Sequence, residues 1–192
     1  MDGDYLHQMV FTFSAGQLKD HVGSWESLNS DQVILDAIKH YHIEFEANTP
    51  IQPYPPKQIH SSWGEREIIT EAISKLLSKG VLEQTVYAEG DFLSTIFVRS
   101  KKDGSYRMIL NLKPLNEFVS YYHFKMDTIQ TALKLMRPGC FMASVDLKDA
   151  YYSVPVAEED RKYLKFECKG VIMNTRAYLM ALLVPLDCSP KF

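Results

Sequence analysis

Apolar positions recur every three to four residues in three stretches of the chain, the period of an amphipathic helix. In NSDQVILDAIKHY, Val33, Ile34, Ala37, Ile38 and Tyr41 share one face and Asn29 or Ser30 supplies an N-cap, so the spacing predicts a short helix. SWGE, residues 62 to 65, has the capping-box form; behind it Ile68, Ile69, Ala72, Ile73, Leu76 and Leu77 build one stripe, until Gly80 offers a left-handed stop. MDTIQTALKLMRPG predicts a third helix, capped by Asp127 or Thr128 and ended by Pro138-Gly139.

Elsewhere the pattern is that of strands. FLSTIFVRSKKDGSYRMILNLK, residues 92 to 113, reads as two β-rich runs joined through Lys-Asp-Gly, a turn chemistry that tolerates positive φ. FMASVDL, residues 141 to 147, is apolar on both parities and predicts a strand buried on both faces. KYLKFECKGVIMNTRAYLM predicts a second hairpin turning at Lys169-Gly170. Between the first two helices, four of the nine prolines fall between Pro50 and Pro56, where fixed φ and missing N–H groups forbid regular structure. The chain therefore divides into a helical leader, 1 to 47, a Pro-rich linker, 48 to 61, and an α+β body, 62 to 192.

Composition supports folding: 46% of the 192 residues are apolar and 12% aromatic, well above disordered chains. The net charge of −3 excludes a strongly basic protein, but its distribution is uneven. Residues 1 to 47 hold two lysines and eight acidic groups, leaving a balance of +3 for the rest. Cys140, Cys168 and Cys188 form no CxxC pair, which argues against a disulfide framework or a zinc site and reads as buried thiols of a reducing compartment. The acidic N-terminus is unlike a signal peptide, and AYLMALLVPL is too short to span a bilayer. The expectation is a soluble intracellular protein, in cytoplasm or nucleus, with no membrane partner.

Two constellations could carry chemistry. Arg99, Lys101, Lys102, Arg107 and Lys113 stand against Asp103 alone in residues 98 to 113, a balance of +4 that suits an anionic ligand, although the default reading of such a cluster is a solvated turn. Asp146 and Asp149, in ASVDLKDAYYSV, could offer oxygen ligands to a hard cation, or Asp149 could simply cap the following turn. Tyr151 and Tyr152 are by default core aromatics. The six histidines share no helix face that would make a metal cluster, and no phosphate-binding glycine loop is present.

The order of these features resembles the reverse transcriptases of retroviruses and LTR-like retroelements: KGVLE, then the cationic hairpin, then TIQTALKLMRPGCFMASVDLKDAYYSVPV, then EEDRKYLKFE. The leader SAGQLKDHVGSWESLNSDQVILDAIKHYHIEF is similar to that of DIRS-like elements. The resemblance implies fingers with an incomplete palm of the polymerase right-hand fold, preceded by a short helical segment. It implies a catalytic, metal-binding Asp146, with the Leu147 carbonyl as a further ligand to Mg²⁺. It also implies a nucleotide site in which the Asp149 and Ala150 amides face the triphosphate, Tyr151 acts as steric gate, and Lys101, Lys102 and Arg107 grip phosphates. RNA or DNA template-primer and deoxynucleoside triphosphates are the implied partners.

Two departures from the family follow. These 192 residues contain no Tyr-x-Asp-Asp, and where the family has Leu-Pro-Phe-Gly-Leu the text is LLVPLDCSPKF. The expectation is therefore a reverse-transcriptase fragment without polymerase activity by itself; the alternatives are a non-catalytic nucleic-acid or protein-binding module and a functionless relic.

Overall fold

The computed structural model describes residues 13–28, 31–46, 48–58, 61–120, 128–141, 143 and 147–179. It has mixed α+β content built around one five-stranded sheet, in the order β1-β5-β4-β2-β3. The strands are β1 (Leu82–Thr85), β2 (Leu93–Ser100), β3 (Tyr106–Asn111), β4 (Lys165–Cys168) and β5 (Val171–Thr175). All pairings are antiparallel except that of β2 with β4, where Leu93 faces Lys165 and Ser94 faces Phe166. A parallel pair needs a long crossover, and residues 101 to 164 provide it.

Both hairpins form where the turn chemistry predicts them. At the β4–β5 turn Lys169 and Gly170 have φ of 51° and 78°, the paired positive values of a two-residue turn whose twist matches the strands. The first described helices are α1 (Val22–Leu28), which the spacing did not predict, and α2 (Gln32–Lys39) and α3 (Trp63–Ser78), which it did. α3 opens on the expected capping box, with Ser62 Oγ accepting from the Glu65 amide and the Glu65 carboxylate accepting from the Ser62 amide. Gly80, at φ 68°, ends it, donating to the Leu77 carbonyl while Val81 donates to Leu76. Its Ile69 and Ile73 pack on Leu82, Ile96, Phe166 and Met173, covering one face of the sheet.

A second core forms around Ile43, Phe92, Leu112, Leu115, Val119, Val156, Tyr163 and Leu164. Ile43 reaches it because residues 41 to 46 run extended between two other segments. Tyr41 N–H donates to the Pro155 carbonyl and Ala157 N–H to that of Tyr41, while Glu46 donates to Phe118 and Ser120 to Glu44. Within the Pro-rich stretch, the Gln52 side-chain amide pairs both ways with the Leu93 backbone, at 2.9 Å each. A short helix α4 (Lys113–Asn116) follows β3 and buries Leu115.

Several local expectations are corrected. The cap of α2 is Asp31, which accepts from the Val33 amide; Asn29 and Ser30 lie outside the described residues. α2 buries Leu35 and Ile38 and exposes Val33, because the neighbours that cover so short a helix meet only the 35/38 side. Helix α5 (Ile129–Leu135) is capped by Thr128, one of the two expected caps, but it ends at Leu135, before Pro138-Gly139; Asp127 lies outside the described residues. FMASVDL shows no strand at its described positions, Phe141, Ala143 and Leu147. Phe141 and Leu147 are exposed, since no described element packs over them. Cys140 is likewise exposed rather than buried, and Cys188 lies outside the described residues. Cys168 is partly buried, and burial pushes its thiol pKa up against a smaller downward pull from Lys169.

Candidate functional site

The described residues expected to carry chemistry fall into two groups on separate elements. The first is the tip of the β2–β3 hairpin. Lys101 N–H donates to the Ser105 carbonyl at 2.7 Å and Gly104 N–H to that of Lys101 at 3.1 Å, closing a loop in which Gly104 has φ 78°. Asp103 is engaged within this loop: one carboxylate oxygen accepts from the Ser105 hydroxyl at 2.6 Å and from its amide at 2.9 Å. These bonds hold its carboxyl below the ordinary value, with Lys101 adding a smaller pull. Lys101, Lys102 and Arg107 are exposed, and none has an ion-pair partner among the described residues. The tip therefore carries a net positive charge that Asp103 offsets only in part.

The second group is the turn after residue 146. Asp146, the expected catalytic and metal-binding carboxylate, lies outside the described residues. Leu147 is exposed and Asp149 occupies the left-handed region at φ 58°, which Asp tolerates better than most residues. Asp149 does not cap the turn with its side chain. Its carbonyl instead accepts from Tyr152 N–H, and its carboxylate meets Lys79 Nζ at 2.6 Å. Ala150 is half-buried in the single 3-10 turn Ala150–Ser153.

Tyr151 is half exposed rather than a core aromatic. Its ring stacks on Tyr178, with centroids 6.3 Å apart and planes at 30°, and Tyr178 meets Tyr41 edge-on at 4.9 Å. Burial raises the Tyr178 phenol pKa well above its ordinary value, helped by Tyr41 and Tyr151. Burial likewise raises that of Tyr152, with Asp149 adding to it. Both phenols are therefore neutral, and Tyr151 presents one flat aromatic wall held from behind.

Residues that sequence reasoning did not single out hold this turn. Gly16 N–H donates to the Tyr152 carbonyl at 2.8 Å, and Ala15 N–H donates to that of Lys79 at 3.1 Å. Gly16 has φ 71°, and a Cβ there would sit 3.1 Å from Pro155 Cβ. The one local signal was a glycine inside a polar leader; Lys79 and Tyr178 left none, because their partners are distant in sequence. No hydrogen bond or ion pair joins the hairpin cations to residues 147–151 among the described residues.

No group of three or more His, Cys, Asp or Glu side chains among the described residues could hold a metal ion. The Asp149 carboxylate is engaged by Lys79.

This fold is shared with solved reverse transcriptases. The chain matches the foamy viral protease-reverse transcriptase in complex with an RNA/DNA hybrid at TM-score 0.54 and 19% identity, covering 73% of this chain and 19% of that one. It matches a prototype foamy virus protease-reverse transcriptase mutant at TM-score 0.57 and 18% identity, covering 76% and 19%. Residues 99–189 match the family described as reverse transcriptase (RNA-dependent DNA polymerase). Over 123 residues the chain is 28% identical to the transposon Tf2-3 polyprotein of Schizosaccharomyces pombe, and equally so to the Tf2-4 polyprotein. The match takes in 64% of this chain and 9% of each polyprotein, so the chain spans less than a tenth of the length of these relatives. The chain thus carries a stretch similar to the reverse transcriptase domain of LTR-retroelement polyproteins. No helix among the described residues is long and apolar enough to cross a membrane.

Proposed function

We propose that this chain is the fingers and part of the palm of a retroelement reverse transcriptase, a piece of a protein that carries out RNA-directed DNA synthesis. What supports the reading is the hairpin β2–β3, a cationic arm whose tip and second strand, from residue 99 onward, lie inside the stretch that matches the family. Lys101, Lys102 and Arg107 grip the phosphates of a deoxynucleoside triphosphate or of the template-primer, where charge develops during phosphoryl transfer. The Asp149 and Ala150 amides face the triphosphate, and Tyr151 excludes a ribose 2′-OH. Mg²⁺, held by Asp146 and the Leu147 carbonyl, neutralises phosphate charge when bound. The leader supports an element of the DIRS-like, tyrosine-recombinase type, acting in cytoplasm or nucleus.

Because these residues contain no Tyr-x-Asp-Asp, they extend no primer by themselves. Incubation with template-primer, Mg²⁺ and deoxynucleotides is expected to give no incorporation; incorporation lost in Asp146→Ala would overturn that statement. Binding tests the rest. An RNA/DNA template-primer should bind with an affinity that falls linearly with log salt, and joint replacement of Lys101, Lys102 and Arg107 by Gln should flatten that slope by about three phosphate contacts. Undetectable or salt-independent binding would count against the reading. A non-catalytic binding module is the second reading, favoured by the same intact hairpin. It is distinguished by template-primer affinity that Asp146→Ala, Mg²⁺ and deoxynucleotides leave unchanged.

A further inference from the structure

In the β2–β3 ladder Arg99 stands directly opposite Arg107, with Val98 opposite Met108 on one side of it and Ser100 opposite Tyr106 on the other. Directly opposed residues of an antiparallel pair put their Cβ atoms about 4.5–5.5 Å apart on the same face, and like charges there are destabilising. Ile96, Val98, Met108 and Leu110 pack with Ile69, Ile73, Leu76 and Leu77 of α3, so the alternate parity, with Phe97, Arg99, Arg107 and Ile109, is the face turned away from the helix. Both arginines are exposed there. Neither side chain has a hydrogen bond or ion pair among the described residues.

The nearest carboxylate in sequence forms no ion pair with either arginine. Asp103 is the one acidic residue between positions 98 and 113, and its carboxylate is occupied by the Ser105 amide and hydroxyl. A hairpin packed on a helix therefore sets two arginines directly opposite each other, with no ion-pair partner for either among the described residues. Each guanidinium fork matches two oxygens of a phosphate, and two forks on one rigid face can hold a polyphosphate or two neighbouring phosphates with little ordering cost.

We infer that Arg99 is a phosphate-binding residue that acts as a pair with Arg107. This rests on the reading of the hairpin given above but adds a residue and a geometry to it. The phosphates belong either to a nucleoside triphosphate or to a nucleic-acid strand, and the shared chemistry is a run of anionic phosphate oxygens.

The test uses the 192-residue chain in low salt, with inorganic tripolyphosphate as the first probe and a single-stranded oligodeoxynucleotide as the second. Wild type is expected to bind at least one probe and to melt at a higher temperature with it. Arg99→Gln is expected to weaken that binding tenfold or more, as much as Arg107→Gln does, and to melt no lower than wild type without ligand, since it removes a repulsion. Arg99→Lys should recover only part of the loss, and Lys134→Gln, on α5, should change nothing. Loss for tripolyphosphate alone assigns the pair to the triphosphate, and loss for the oligonucleotide alone assigns it to the strand. Binding by Arg99→Gln within twofold of wild type for both probes would overturn the inference, as would a wild type that binds neither. Retained tripolyphosphate binding beside absent template-primer binding would sink the polymerase reading and leave the arginine pair standing.

Discussion

Lys79 Nζ lies 2.6 Å from Asp149 Oδ2, tying the C-terminal end of α3 to the turn that carries Tyr151, across 70 positions of sequence. The pair is partly buried, with side-chain exposures of 33% and 19%, so its worth falls between an exposed ion pair and a fully buried one. Lys79→Met is expected to lower the unfolding free energy by about 1–2 kcal/mol. Asp149→Asn should cost a similar amount, whereas Asp149→Ala should cost about 1 kcal/mol more, because at φ 58° Ala lacks the short polar side chain whose local hydrogen bonding lets Asp and Asn adopt that conformation. Urea unfolding of the three variants measures the order; equal costs for Asn and Ala would contradict it.

Gly16 joins the leader to the same turn, and its conformation leaves room for nothing larger. At φ 71°, with Pro155 Cβ 3.1 Å from where its own Cβ would be, Gly16→Ala is expected to destabilise by about 1–2 kcal/mol. Gly23, within α1, has nothing within 4 Å, so Gly23→Ala should be neutral or stabilising by up to about 1 kcal/mol. Thermal melts should fall for Gly16→Ala and stay level or rise for Gly23→Ala.

A buried ion pair anchors the loop before β2. Lys165 Nζ meets Asp91 Oδ2 at 2.7 Å with side chains only 8% and 3% exposed, and the same oxygen accepts from the Ala88 amide. Lys165→Met would strand a buried carboxylate and is expected to cost about 3–5 kcal/mol. Replacing both partners by apolar residues of similar size should recover much of that loss, and a double-mutant cycle by denaturant unfolding reads the difference.

The capping box makes the start of α3 sensitive to acid. Hydrogen bonds from the Ser62 amide and hydroxyl hold the Glu65 carboxyl below its ordinary value of 4.5. A carboxyl whose folded value is depressed adds stability above its unfolded value, and that stability is lost as the pH falls through the folded one. Wild type should therefore melt above Glu65→Gln near neutral pH, and the gap should narrow as the pH falls below about 4.5. A gap independent of pH would show that the carboxylate charge contributes nothing.

Much of the secondary structure was legible because its causes are local. Ser62 and Glu65 are three apart, and Lys169-Gly170 needs only its own two residues to turn. The strand expected over residues 141 to 147 failed at its described positions because burial is supplied by neighbours, and apolar residues alone do not create them. The candidate site was legible only in part. Charge counting found the hairpin cations, but it could not tell that Arg99 faces Arg107, which depends on the register of the ladder.

The sequence by itself determined the helices α2, α3 and α5, the two hairpins, the cationic tip and the likeness to reverse transcriptases, all of which rest on short-range spacing or on motif order. Only the tertiary structure decided that Ile43 shares a core with Leu164, that Gly16 meets Tyr152, that Tyr41 backs Tyr178 and that Lys79 pairs with Asp149. Contacts between residues tens of positions apart have no period and no fixed spacing, so packing alone selects them.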